Sequence, residues 1–195
     1  VAFGPMNINA TSGIAGDRLS GRSKVQIDDT PFADLGRAGI TADVRLIDVD
    51  GSALGNIIDA LDELQAGGSS DDFMFVVQDD LQRLFSRGFE LHVEQLDVAL
   101  SQGAFASKFR FVIDASDAHR FSWPAVLLAL DASVEINMPT ELVDYLTTID
   151  PQMHAAIAGG FLRKNGDLYE LKAAFKSGLL TVNDAPMPLP IPGIR

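Results

Sequence analysis

Between Phe89 and Asp114 the chain reads FELHVEQLDVALSQGAFASKFRFVID, two amphipathic arms around a Gln102-Gly103 turn, and no other stretch restricts the fold as much. In the second arm Phe105, Ser107, Phe109, Phe111 and Ile113 fall on one face, with Ala104, Lys108, Arg110 and Asp114 on the other. Strand side chains alternate between faces, so this pattern predicts an antiparallel hairpin with one buried and one wet side. A two-residue turn at Gln102-Gly103 sets Leu100 opposite Phe105, Leu96 opposite Phe109 and Asp97 opposite Lys108. The first arm changes parity midway, because Leu96, Val98 and Leu100 are apolar at even positions whereas Phe89, Leu91 and Val93 are apolar at odd ones. A β-bulge at Glu94-Gln95, facing Arg110, returns every large apolar group to one side.

The same period recurs along the chain. Met6, Ile8 and Ala10 alternate with polar residues, and after a Gly16-Asp17 turn Leu19, Ser23, Val25 and Ile27 alternate with Arg18, Arg22, Lys24 and Gln26, which predicts a first hairpin. Ile40, Ala42, Val44 and Leu46 mark a strand, followed by a helix capped by Ser52 with the stripe Leu54, Ile57, Ile58, Leu61 and Leu64. Ser70, Asp71 and Asp72 suit the start of a second helix with the stripe Met74, Val77, Leu81, Leu84 and Phe85, ended by Gly88. Pro124 suggests a short helix start. Leu130, Ala132, Val134, Ile136 and Met138 mark another strand, closed by Pro139, with Thr140 capping the next helix. Asp150-Pro151 reads as cap and first position of a helix carrying Met153, Ile157 and Phe161. A last hairpin sets Tyr169, Leu171, Ala173 and Phe175 against Leu180 and Val182 around Ser177-Gly178, before a proline-rich tail that cannot be a central strand.

These elements predict an α+β fold, an antiparallel sheet of hairpins with helices packed mainly on one face. The length of 195 residues suits a single domain, 1-195. Within it the order hairpin, strand, helix occurs twice, which divides the chain into related halves 1-68 and 72-148 and a C-terminal helix and hairpin at 150-190.

Composition removes several function classes. A net charge of -12 opposes nucleic-acid binding, which needs a concentrated basic surface. With no cysteine there is no disulfide, thiolate metal site or cysteine nucleophile. No apolar run approaches the length that spans a bilayer, and the chain reads as a soluble piece of something longer. The three histidines, His92, His119 and His154, have no short metal spacing, and Asp150 beside His154 is better explained as a cap. Asp48-Val49-Asp50-Gly51-Ser52 lacks the further acids of a calcium loop. No serine sits in a GxSxG context and no phosphate loop follows a strand. Catalytic residues, cofactors and metals are therefore expected to be none.

Two distributions remain. Arg18, Arg22, Lys24, Lys108, Arg110, Lys172 and Lys176 all fall on outward strand faces, seven of the fifteen basic residues, and form a candidate surface for acidic partners or lipid headgroups. Charges that merely keep strands soluble and block edge pairing are the competing reading. On the other side Phe105, Phe109, Phe111, Leu130 and Ile136 form either a closed core or a groove for an acyl chain.

The C-terminal wording Gly160-Phe161-Leu162, Tyr169-Glu170-Leu171-Lys172-Ala173, Lys176-Ser177-Gly178-Leu179-Leu180-Thr181-Val182-Asn183 and Pro186 resembles the YdgA-like bacterial family, and the likeness spans roughly residues 75 to 190. Asp184 departs from it, since a glycine is expected after the asparagine. The resemblance implies a domain of unknown function on the periplasmic side of the bacterial inner membrane, held there by an N-terminal helix outside this sequence; it carries over no catalytic residue. The N-terminal third is loosely similar to the strand-and-helix units of AsmA-type envelope proteins, associated with lipid transport. The expected role is a non-enzymatic envelope domain for protein interaction or scaffolding, with lipid or apolar-ligand binding as the alternative. Expected partners are an unknown protein or a lipid, and the membrane only through that anchor.

Overall fold

The alternating segments all become strands of one sheet. The computed structural model describes residues 4–31, 36–66, 70–115 and 122–187. The strands are β1 (Met6–Ala15), β2 (Arg18–Pro31), β3 (Arg37–Asp50), β4 (Phe89–Leu100), β5 (Gly103–Ile113), β6 (Leu130–Pro139), β7 (Arg163–Asn165), β8 (Leu168–Lys176), β9 (Leu179–Val182) and β10 (Ala185–Met187). They form a ten-stranded sheet in the order β1-β2-β3-β4-β5-β6-β8-β9-β10, with β7 paired to β8. Every pairing is antiparallel. The helices are α1 (Gly51–Gln65), α2 (Ser70–Arg87), α3 (Trp123–Ala129), α4 (Thr140–Ile149) and α5 (Pro151–Ala158). They lie on one side of the sheet, so the fold is α+β as the patterning predicts. Hairpin, strand and helix follow each other as β1-β2-β3-α1 and again as β4-β5-β6-α4, the second time with α3 before its third strand.

The hairpin register differs from expectation by two residues. Leu100 pairs with Gly103 and Val98 with Phe105, so the turn is Ser101-Gln102. A slip of two preserves the face of every side chain, which is why patterning alone could not detect it. Gly103 serves another purpose: at φ 123° it leaves room for Pro139, whose Cγ lies 2.7 Å from where a Cβ would stand. The bulge falls at Glu94-Gln95, between the Val93–Phe109 and Leu96–Ser107 pairs, and faces Lys108 instead of Arg110. Further register shifts in the β2–β3 ladder place Asp29 and Asp48 at positive φ, 54° and 58°.

Helix entries also correct the sequence reading. Asp50, not Ser52, caps α1, its carboxylate accepting from the Ala53 N–H at 2.9 Å. Thr140 opens α4 without a side-chain cap bond; Pro139 holds the cap position and the Thr140 hydroxyl is buried without a partner. Ser122 caps α3, and Asp150 caps α5 ahead of Pro151, accepting from the Gln152 N–H at 2.9 Å. α2 begins at Ser70, although the side chains of Ser70, Asp71, Asp72 and Met74 lie outside the described residues. Gly88 ends it at φ 70°, where a Cβ would meet the Ile113 carbonyl oxygen at 2.6 Å.

Burial is concentrated in two separate clusters. Met138, Leu142, Val143 and Leu162 form one beneath α4 and α5, while Val49, Ala53 and Leu84 form the other where α1 and α2 meet β3. Ile58 and Leu61 of the expected α1 stripe are 48% and 39% exposed, because α1 packs chiefly on α2 and buries Ala53 against the sheet. The helices leave β1 uncovered, with Met6 62% and Ile14 76% exposed. The proline-containing tail does contribute a strand, the three-residue β10, at the far edge of the sheet. Among the described residues no helix is long and apolar enough to cross a membrane.

Candidate apolar groove and charged outer face

Cross-strand register builds the candidate site. Ile40, Val98 and Phe105 stand opposite one another on β3, β4 and β5, and Ala42 pairs with Leu96 one step along. Residues directly opposite share a face, so these groups make a continuous apolar surface. Met138 of β6 closes one side, and Leu142 and Leu146 of α4 stand over it. Together with Leu100 these groups, Ala42 excepted, line a partly open cavity of about 400 Å³ in which every lining residue is apolar. A volume of this order lies within the range for small-ligand sites, about 300 to 1,000 Å³.

Of the groove residues expected from sequence, Phe105 lines this cavity. Ile136 packs beside it against the Met138 and Leu142 cluster. Phe109 and Phe111 instead belong to an aromatic ladder, with ring centroids 6.4 Å apart and Phe111 5.7 Å from Phe89. Leu130 pairs with Ile113 at the opposite end of β6. Period-two parity already assigned Leu96, Val98 and Leu100 to the inner face. That Ile40 and α4 would meet them required knowing that β3 lies beside β4.

The cations expected on the outer strand faces are interleaved with carboxylates, and Arg18 among them is only 15% exposed. Arg22 holds Asp43 through two bonds of 2.7 and 2.6 Å, and Lys24 reaches the same carboxylate at 3.3 Å. Arg18 bonds Asp48 at 2.9 Å and the Gly88 carbonyl at 2.8 Å. Arg110 and Lys176 share Asp131 at 3.3 and 3.2 Å. Glu135 stands between Lys108 and Lys172 in the ladder. His92 meets Glu90 at 2.8 Å, His154 is exposed on α5, and His119 lies outside the described residues. No group of three or more candidate metal ligands comes together among the described residues.

These pairings have a pH consequence. The Arg22 hydrogen bond holds the Asp43 carboxyl at about 2 against the opposing effect of desolvation, with Lys24 assisting. The Arg87 hydrogen bond likewise lowers Asp17 to about 2. Both folded values lie below the unfolded carboxylate value of about 3.9, so their contribution is complete above that pH and is lost as pH falls through about 2. Urea midpoints measured from pH 6 to pH 2 should therefore decline most steeply below about pH 4, and Asp43→Asn should flatten that acid limb. An unchanged limb in the variant would contradict this linkage.

Compared with known proteins, residues 1–190 match the family model described as a bacterial protein of unknown function, DUF945. No curated protein and no solved structure matches the chain.

Proposed function

We propose, for a chain that belongs to this bacterial family of unknown function, that it is a non-catalytic binding module whose inner sheet face takes an apolar ligand of the acyl-chain class. The observation that carries this reading is the cavity between β3, β4, β5, β6 and α4, lined throughout by aliphatic and aromatic side chains and open on one side. An apolar surface open to water gains free energy when an apolar guest covers it, roughly 0.8 kcal/mol per buried methylene. No titratable group lines the cavity, so recognition there rests on shape and apolar area. The C-terminal likeness to YdgA-like proteins supports a place in the bacterial envelope, where acyl chains are abundant.

The test is ligand occupancy. Protein purified from bacterial cells should release lipid on organic extraction and show bound-lipid masses in native mass spectrometry. Ile40→Trp should fill the cavity and weaken binding of a fluorescent fatty acid at least about tenfold, with the melting temperature kept or raised. Unliganded protein from cells, together with wild-type protein that fails to bind the fluorescent fatty acid, would refute the proposal and leave the interaction or scaffolding role as the better reading.

A further inference from the structure

The two edges of the sheet are treated differently. Among the described residues β10 ends the sheet with three residues, one of them Pro186, so little pairing surface is offered there. β1 ends it with ten residues, Met6-Asn7-Ile8-Asn9-Ala10-Thr11-Ser12-Gly13-Ile14-Ala15, all exposed. It contains no charge and no proline, and its ladder with β2 runs without a register shift. Edge strands are ordinarily blunted by lysine, proline, bulges or shortness, and β1 has none of these. In a chain of net charge -12, a neutral unbroken edge of roughly 34 Å is suited to receive another strand.

We infer that β1 is a self-association edge, pairing antiparallel with β1 of a second copy of this chain about a two-fold axis midway between the two Ala10 residues. The sequence of β1 is complementary to itself in that register. Keeping the two apolar faces on one side requires inner residues to oppose inner residues, and centring on Ala10 sets Met6 against Ile14 and Ile8 against Ser12 in both directions. Asn7 then opposes Gly13 and Asn9 opposes Thr11 on the outer face. Centring one residue later leaves Met6 facing the Gly16 turn, and a half-step in register turns one copy's apolar face to the opposite side. With no charge in β1, no like-charged pair arises between the paired strands. The exposed Met6, Ile8 and Ile14 become partners across the joint, and the two sheets run on as one.

The absence of native cysteine makes the register directly testable. In the full chain, Ala10→Cys places two thiols opposite each other with Cα atoms about 4.5 to 5.5 Å apart, within disulfide reach. Mild oxidation should convert most of that variant to a covalent dimer of twice 20.9 kDa, whereas Ile14→Cys should not cross-link efficiently. Wild-type protein should show a concentration-dependent dimer in sedimentation velocity. Ile8→Lys with Ser12→Lys sets like charges opposite each other and should abolish it, while Ile8→Lys with Ser12→Glu sets opposite charges together and should restore it. All four positions are exposed, and unchanged circular dichroism confirms that each variant folds. A wild-type monomer at all concentrations, equal cross-linking at residues 10 and 14, or a dimer indifferent to both charge pairs would overturn the inference.

Discussion

Replacing Asp50 by alanine should destabilise the protein by about 3 kcal/mol, the lower end of the range for removing one partner of a buried ion pair. Asp50 is 0% exposed and joins three elements at once. Its carboxylate caps α1 through the Ala53 N–H at 2.9 Å, accepts Arg83 at 3.1 and 3.0 Å, and accepts Arg87 at 2.6 Å. Arg87 continues to Asp17 at 2.8 Å, so the end of α2 is tied to the turn between β1 and β2. Burial pushes the Asp50 carboxyl up, yet the bonds from Ala53, Arg87 and Arg83 outweigh it and hold the group below the ordinary carboxylate range. Arg83 and Arg87 keep access to water, at 48% and 36% exposure, which places the cost at the lower end. Asp50→Asn retains a capping oxygen and should cost about 1 kcal/mol less than alanine. Chemical denaturation of both variants decides the matter, and equal losses would show that the cap contributes nothing.

The second large effect is expected at Asn183. Its Oδ1 accepts the Lys172 N–H at 2.9 Å, and its Nδ2 donates to the Gly160 and Phe161 carbonyls at 2.9 and 3.0 Å. One side chain thus fastens the turn between β9 and β10 to the chain leaving α5. It is 8% exposed and sits at φ 48°, with Asp184 at 66°, so the turn takes the left-handed conformation that hairpins favour even though aspartate stands where glycine was expected. Asn183→Ala should cost about 3 kcal/mol, since buried backbone partners lose their bonds and alanine is strained at positive φ. Asn183→Gly removes the strain and should be milder by about 1 kcal/mol. Asn183→Asp should be the most damaging at neutral pH, because a carboxylate oxygen would replace the donor facing two carbonyls. The order of the three urea midpoints checks this, and an aspartate variant more stable than alanine would refute the geometry.

Neither residue announced its role in the sequence. Asp50 stood in a run, Asp48-Val49-Asp50-Gly51-Ser52, offering several capping groups, and choosing among them depended on Arg83 and Arg87 arriving from α2. Asn183 gave no local sign either, because its three partners come from β8 and from the segment after α5. Alternation made the seven cations legible as a group, although Arg18, 15% exposed and bonded to the Gly88 carbonyl, is not an open surface charge. Their partners Asp43, Asp48 and Asp131 were not legible, since each lies on a different segment from at least one cation it serves.

What the residues determined unaided was the period of the longer segments, hence every strand but β7 and β10, the Glu94-Gln95 bulge and the α+β class. Alternation is a local property, and solvent exposure acts on each strand by itself. The tertiary structure alone decided which strands stand side by side, the exact opposition in the central hairpin, and how far the helices extend over the sheet. Those choices depend on contacts between distant residues, such as Pro139 against Gly103 or Leu142 over Phe105, whose free energies no single segment contains. The cavity and the bare β1 edge are both products of that second level, where too few helices meet a sheet too wide for them to cover.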